Sequence, residues 1–238
     1  MSVSALVSGG TYTVKMIRAA IFDLDGVIVD TAKYHYLAWR RLAGELGFEF
    51  TEADNERLKG VSRMQSLDIL LEVGGFGAAA FSEAQREEMA ARKNRWYVES
   101  VSQMTPAEIL PGVPSFLEEV RADGVRTALG SASRNTGLIL DRLNLRGMFD
   151  TVVDGTMVVR TKPDPEVFLK CAAALGAVPA GQCVVFEDAE AGIEAAAAGG
   201  MCSVGIGSPD VLRRADLVIP GFEGVEWRNI VNRLSMSE

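Results

Sequence analysis

Positive charge is in short supply in this sequence. Against 32 acidic residues stand 24 Lys and Arg, a formal net charge of −8 over 238 residues. Broad binding to nucleic acid or to an anionic membrane needs a basic face, so this balance argues against both. It leaves room for an anionic small molecule, because a few cations converging in one cleft override the sign of the whole. Cysteine is scarce too. Cys171, Cys183 and Cys202 lack metal-ligand spacing, and three leave one unpaired in any disulfide scheme. They are expected as small core hydrophobes in a reducing compartment, Cys183 and Cys202 in runs that read as buried strand edges. The opening MSVSALVSGGTYTVKM has no basic start followed by an apolar stretch of signal-peptide length. No run approaches the roughly 18 apolar residues of a membrane span. There is no internal repeat. The expectation is a cytoplasmic protein whose residues 1–16 are a poorly ordered leader.

What is present suits a large soluble α/β domain. Hydrophobic residues make up 48% and charged residues 24%, enough to build a core without disulfide staples. From Ile17 the run IRAAIFDLDG is apolar and then acidic, as in a strand buried on both faces of a parallel sheet. TAKYHYLAWRRLAGELG reads as a helix closed by Gly47, and helical pieces continue from about Thr51 to Ser102. From residue 108 strands and helices alternate. VRTALGSAS, Thr151–Val153, CVVFED, MCSVGIG and ADLVIP are strands. PGVPSFLEEVRADG, RNTGLILDRLNL, DPEVFLKCAAALG, AEAGIEAAAAGG and VEWRNIVNRLS are helices. Such alternation implies right-handed βαβ units, so the block at about 32–105 is a helical insert after the first strand.

Ligands of open α/β sheets sit at the carboxyl ends of the strands. Those ends carry Asp23 and Asp25, then Ser131, then Glu187 and Asp188, with Lys162 ahead of a later helix. Clustered carboxylates suit Mg²⁺, and a hydroxyl and an ammonium suit a phosphate. One acid of DLDG can attack phosphorus, and the other, two residues on, can serve as acid and base. Gly26 lets the backbone turn sharply beside them. Singly, each piece could be a solvated turn, a surface lysine or a helix cap; at successive strand ends together they point to phosphoryl transfer. The Lys162–Pro163 bond is open between two forms. About one X-Pro bond in twenty is cis, yet Lys162 must aim inward while a helix starts at once.

FDLDG, a Ser-containing turn after the second sheet strand, a KP pair and a late ED resemble the haloacid dehalogenase superfamily. The helical insert is similar to that superfamily's cap. DLDGVIVDTAKYH, LKGVSR followed by Ser66, ARKN, SASRN, KPDPEVF and EDAEAGI resemble, in order and spacing, its β-phosphoglucomutase family. The resemblance spans residue 17 to about 210. It implies a Rossmann-like parallel sheet core over residues 17–31 and 106–238, with an inserted all-helical cap over 32–105.

The same resemblance implies Asp23 as nucleophile and Asp25 as general acid and base. It implies Mg²⁺ among Asp23, the Asp25 carbonyl, Glu187 and Asp188. Ser131 and Lys162 would bind the transferring phosphoryl group, with Gly26, Ala132, Ser133, Arg134 and Asn135 nearby. Thr31 would lie at the hinge. His35, Trp39, Lys59, Gly60, Val61, Arg63, Ser66 and Lys93 would come from the cap, Arg63 gripping a second phosphate bidentately. His35, the one histidine, would be structural if judged without the resemblance. Arg134 departs from the usual Lys, and Gly130 from the usual Ala. The implied activity is interconversion of β-D-glucose 1-phosphate and glucose 6-phosphate by a monomer, through an aspartyl phosphate and a glucose 1,6-bisphosphate. The rivals are a Mg²⁺-dependent sugar-phosphate phosphatase of the same fold and a non-catalytic sensor.

Overall fold

The computed structural model describes residues 16–58 and 61–235. Apart from Met16, the leader expected over residues 1–16 lies outside the described residues, as do Lys59 and Gly60. The central element is β1 (Ala19–Phe22), two residues shorter at its start than the apolar run that begins at Ile17. It pairs in parallel with β2 (Arg126–Gly130) on one side and β4 (Cys183–Glu187) on the other. β3 (Thr151–Val153) extends the sheet beyond β2, and β5 (Cys202–Ile206) and β6 (Leu217–Ile219) extend it beyond β4. The order is β3-β2-β1-β4-β5-β6, so the chain reverses direction across the sheet at β1/β4. A crevice at such a reversal is where this architecture binds ligands.

Alternation along the central strands fills two cores. Ala20, Phe22, Leu129, Val184, Phe186 and Val204 enter one, and Ala19, Ile21, Ala128, Cys183 and Val185 the other. In the first core Phe22 stacks on Phe186 with centroids 4.6 Å apart and planes 6° off parallel. Phe116, from α5 (Val113–Ala122), meets both edge-on at 6.4 Å and 5.4 Å. Phe222 and Trp227 close the cluster at 4.8 Å and 6.1 Å from Phe116. These rings lie beneath the strand ends that carry the acids. The cysteines are free and buried, Cys183 and Cys202 opening β4 and β5.

Between β1 and β2 lie α1 (Ala32–Glu45), α2 (Glu52–Glu56), α3 (Arg63–Val73) and α4 (Glu83–Val101). They share a separate buried cluster that includes Trp39, Leu42, Phe50, Leu67, Leu70 and Met89. Each of α2, α3 and α4 starts at a capping box: Thr51 with Asp54, Ser62 with Gln65, Ser82 with Gln85. The remaining helices, α6 (Thr136–Arg142), α7 (Glu166–Ala174), α8 (Glu190–Ala198) and α9 (Trp227–Ser235), pack on the sheet or close the chain. No helix among the described residues is long and apolar enough to cross a membrane.

One helix is shorter than its sequence suggests. RNTGLILDRLNL becomes helical only at Thr136. The Asn135 N–H donates to Ser133 Oγ at 3.2 Å and the Thr136 hydroxyl to the Ser133 carbonyl at 2.8 Å. Local side-chain bonds of this kind offer the backbone an alternative to the helix, leaving Ser133–Asn135 as a turn facing the strand ends.

If the stacked rings hold the strand ends, Phe186→Ala should cost about 3–5 kcal/mol, read as a lower urea midpoint. Val159, 90% exposed, should tolerate Ser within about 0.5 kcal/mol. A Phe186→Ala loss below about 1 kcal/mol would show that the stack is not the support described.

Candidate active site

Two strand ends are fixed by backbone bonds just past their last residue, and a third by its pairing within the sheet. The Asp23 N–H donates to the Phe186 carbonyl at 3.0 Å, and the Ser131 N–H to that of Val153 at 3.0 Å. Glu187 ends β4 in register with Gly205 of β5. Asp23, Ser131 and Glu187 are buried. Asp25 follows in a turn where its N–H donates to Asp23 Oδ2 at 3.1 Å and its Oδ1 accepts the Thr31 hydroxyl. Gly26 adopts φ +74, and a Cβ there would overlap the Asp188 carboxylate. A Cβ on Gly192 would overlap that of Glu187. Both glycines therefore leave room for acids to approach the centre.

Lys162 is the cation among them. Its Nζ donates to Asp23 Oδ1 at 2.6 Å, Glu187 Oε1 at 2.8 Å and the Gly130 carbonyl at 3.4 Å, and lies 4.8 Å from the Phe168 ring centre. The Lys162–Pro163 bond is cis. The departure at Gly130 has a local cause. A Cβ there would sit 3.1 Å from Cys171 Sγ and 3.2 Å from Phe168 Cδ1, so the glycine makes room for the ring under Lys162.

One ammonium does not balance this many carboxyls. Burial and then the charge of Glu187 raise Asp188 to about 8. Burial raises Asp23 to about 7, against the pull of Lys162. Burial also raises Asp25, although the Thr31 hydrogen bond opposes it. The Lys162 ammonium is held charged: burial works against it, but Asp23 and Glu187 raise its pKa on balance. Oxygens of Asp23, Glu187 and Asp188 lie within 4.8 Å of one another. Hard oxygen donors at this spacing, with net negative charge to spare, fit a divalent cation such as Mg²⁺.

The helical insert presents the opposite imbalance. The Ser62 capping box, with the Gln65 N–H donating to Ser62 Oγ at 3.3 Å, fixes Arg63 at the first position of α3. The buried Lys93 Nζ meets His35 Nδ1 at 2.7 Å and lies over the Trp39 and Tyr97 rings at 4.5 Å and 5.1 Å. His35 stacks on Tyr97 at 4.0 Å. Burial and the neighbouring Arg63 lower Lys93 to about 7. Burial, Lys93 and Arg63 lower His35 as well. Burial and the facing Arg134 lower Arg63. Arg134 belongs to the turn after β2, so insert and sheet turn both point cations at one region. There the Asn135 amide donates to Asn94 Oδ1 at 3.4 Å across the two parts. Ser66 is buried, and Val61 is exposed at the rim.

The structure thus brings together Asp23, Asp25, Gly26, Ser131, Lys162, Glu187 and Asp188 as one cluster. Thr31, His35, Trp39, Arg63, Lys93, Arg134 and Asn135 surround it or face it. Ser133 shapes the turn by donating its N–H to Ser131 Oγ at 3.0 Å, and a Cβ on Gly155 would overlap the Ala132 carbonyl. Sequence reading passed over Gly192, Asn94, Tyr97 and Phe168. Gly192, Asn94 and Phe168 stood within the EDAEAGI, ARKN and KPDPEVF motifs and could have been found there; Tyr97 carries no local signal.

A model of the haloacid dehalogenase-like hydrolase family matches residues 17–200, and the chain belongs to that family. Within it, the chain is 44% identical over 202 residues to the β-phosphoglucomutase of Bacillus subtilis, covering 85% of this chain and 88% of that one. It is 42% identical to a β-phosphoglucomutase from Clostridium difficile whose crystal structure superposes with a TM-score of 0.86 over 92% of this chain and 97% of that one. A phosphorylated-carbohydrates phosphatase of Thermotoga maritima is 34% identical over 77% of this chain and 82% of its own.

Raised carboxyl pKa values have a sign that can be tested. A carboxyl raised in the folded state favours folding while protonated. That contribution is complete below its unfolded value of about 4 and is lost as pH rises through the raised values. Lys93 has the opposite sign, since a lowered lysine gains stability above its folded pKa of about 7. Between about pH 4 and 7 the three raised carboxyls of Asp23, Asp25 and Asp188 therefore outweigh the lowered His35 imidazole, which works in the opposite sense up to its unfolded value of about 6.5. Metal-free protein should lose thermal stability across this range, and excess Mg²⁺ should flatten or reverse the decline. A flat metal-free profile would show that the acids are not crowded as described.

Proposed function

We propose that this protein is a mutase interconverting β-D-glucose 1-phosphate and glucose 6-phosphate. The observation that carries the reading is the second cationic region, Arg63 with Lys93 and Arg134, facing the carboxylate cluster. An enzyme that only hydrolyses a monophosphate needs cations for one phosphate. A mutase working through a bisphosphate needs them for two, because whichever phosphate is not reacting must also be held. The strong resemblance to β-phosphoglucomutases supports the same reading.

In this proposal Asp23 attacks phosphorus, the bond from phosphorus to the sugar oxygen breaks, and Asp25 gives that oxygen its proton. In the other half-reaction a sugar hydroxyl attacks the aspartyl phosphate, its proton passes to Asp25, and Asp23 returns as a carboxylate. Between the halves the bisphosphate turns end for end. Burial favours the protonated Asp25, and the Thr31 hydroxyl orients it. Lys162 and the Ser131 hydroxyl stand where they can grip the transferring group, and Lys162 keeps Asp23 aimed. Mg²⁺ bound by Asp23, Glu187, Asp188 and the Asp25 carbonyl would neutralise the remaining charge. These residues work by positioning and fixed charge.

We further take residues 17–31 and 106–238 as the core and 32–105 as a cap that closes over the substrate. Val61 would stand at its edge beside Arg63, and His35, Trp39, Ser66 and Lys93 would form its inner wall. One chain supplies every group invoked, in keeping with a monomer. The free buried cysteines accord with the cytoplasm.

Two substitutions test the proposal. Asp23→Asn should abolish isomerisation while the protein stays folded, and appreciable turnover by a folded variant would remove the covalent step. Arg63→Ala should slow isomerisation of glucose 1-phosphate by one to two powers of ten, as expected for losing a charge-assisted contact of about 1.5–3 kcal/mol. It should scarcely change phosphorylation of Asp23 by acetyl phosphate, which has no second phosphate. Equal losses in both reactions would assign Arg63 elsewhere, and no loss in either would favour the phosphatase.

A further inference from the structure

The two chain segments joining the sheet to the helical insert run side by side. Val29 bridges Ile109, and the Leu110 N–H donates to the Ile28 carbonyl at 3.0 Å. Glu108 stands at this crossing. Its carboxylate accepts from Lys33 Nζ at 2.8 Å, from the Tyr34 hydroxyl and from the Thr105 N–H at 3.2 Å. Lys33 and Tyr34 form the first turn of α1, 75 and 74 residues away in sequence.

An exposed ion pair by itself contributes little, and Lys33 is exposed. Glu108 differs because its side chain is only 22% exposed and three donors converge on it. Burial pushes its carboxyl up, yet Lys33, Tyr34 and the Thr105 amide bring it below the usual range. What it grips matters more. The N–H groups of Tyr34 and His35 donate to the Thr31 carbonyl at 3.0 Å and 3.1 Å, and the Thr31 hydroxyl donates to Asp25. His35 in turn meets Lys93. The first turn of α1 thus carries both the partner of Asp25 and one side of the cationic wall.

We propose that Glu108 is a positioning residue, a strut between the two connecting segments. Through Lys33 and Tyr34 it holds the first turn of α1 so that Thr31 meets Asp25 and His35 meets Lys93. Its consequence is exclusion of water from the aspartyl phosphate, and in that respect it rests on the phosphoenzyme reading above. When the turn shifts, water replaces the sugar hydroxyl as attacker. The bond between phosphorus and Asp23 then breaks to release inorganic phosphate, water supplying the oxygen and protons.

The test uses the Mg²⁺-loaded full chain, phosphorylated with acetyl phosphate, in wild-type, Glu108→Gln and Tyr34→Phe forms. Three quantities are read: the lifetime of the phosphoenzyme in water, the partition of its phosphoryl group between water and glucose 1-phosphate, and the thermal midpoint. Both variants should shift the partition toward water by about tenfold and shorten the lifetime, with the phosphorylation rate nearly unchanged. A lower midpoint with unaltered lifetime and partition would make Glu108 merely structural and overturn the proposal. So would a fall in phosphorylation rate matching the fall in transfer. Wild-type protein that forms the phosphoenzyme but never isomerises glucose 1-phosphate would refute the mutase reading, while the lifetime comparison would still decide the role of Glu108.

Discussion

The rest of the site depends on one constraint: four carboxyls, Asp23, Asp25, Glu187 and Asp188, converge on a single buried ammonium at the end of the central strand. Two like charges about 4 Å apart repel by roughly 4 kcal/mol at an effective dielectric of 20. Lys162 offsets part of that, bonded to Asp23 and Glu187 and acting on Asp25 through space. Much of the surrounding structure can be understood as the means of holding the cluster in place. β1 sits between two parallel neighbours, so its end cannot swing away. Phe22 and Phe186 stack directly below Asp23 and Glu187, and Gly26 and Gly192 remove the side chains that would push Asp188 and Glu187 outward.

A cluster so arranged is incomplete by itself, and the helical insert is incomplete in the opposite sense. Arg63 is held down by burial and Arg134, and Lys93 by burial and Arg63. Cations crowd there as carboxyls crowd below. A ligand with a phosphate at each end, together with a divalent cation, answers both imbalances at once. A monophosphate answers only one. This separates the mutase from the phosphatase on electrostatic grounds, where the shared fold does not.

Much of the carboxylate wall was legible in the sequence, because a strand buried on both faces writes itself as an unbroken apolar run and the chemistry sits at its end. FDLDG and CVVFED show it. The Ser62–Gln65 capping box that places Arg63 is also written in the sequence, as Ser-x-x-Gln ahead of a helix, but was not read there. The rest was hidden for physical reasons. Glu108 reaches Tyr34 across 74 residues, and nothing local marks such a pair. Gly130 looked like a mere departure until Cys171 and Phe168 were seen packed against the space a methyl would fill. Arg134 and Asn135 read as the start of the helix RNTGLILDRLNL, while hydrogen bonds of the Ser133 and Thr136 hydroxyls to the backbone hold them in a turn.

The two walls are joined by apolar packing, with Ala38, Tyr97 and Val101 of the insert buried in the core beneath the sheet, and by single hydrogen bonds. Asn135 reaches Asn94 across the two parts, and Thr31, at the junction between them, reaches Asp25. Both are modest neutral or singly charged hydrogen bonds, worth on the order of 1–3 kcal/mol each. That strength accords with the closure proposed above: much stronger bonds would lock the insert down, and none would leave Asp25 without orientation. Here an aromatic core lies below and a separate apolar core fills the insert. The charged surfaces between them are left to be satisfied by what they bind.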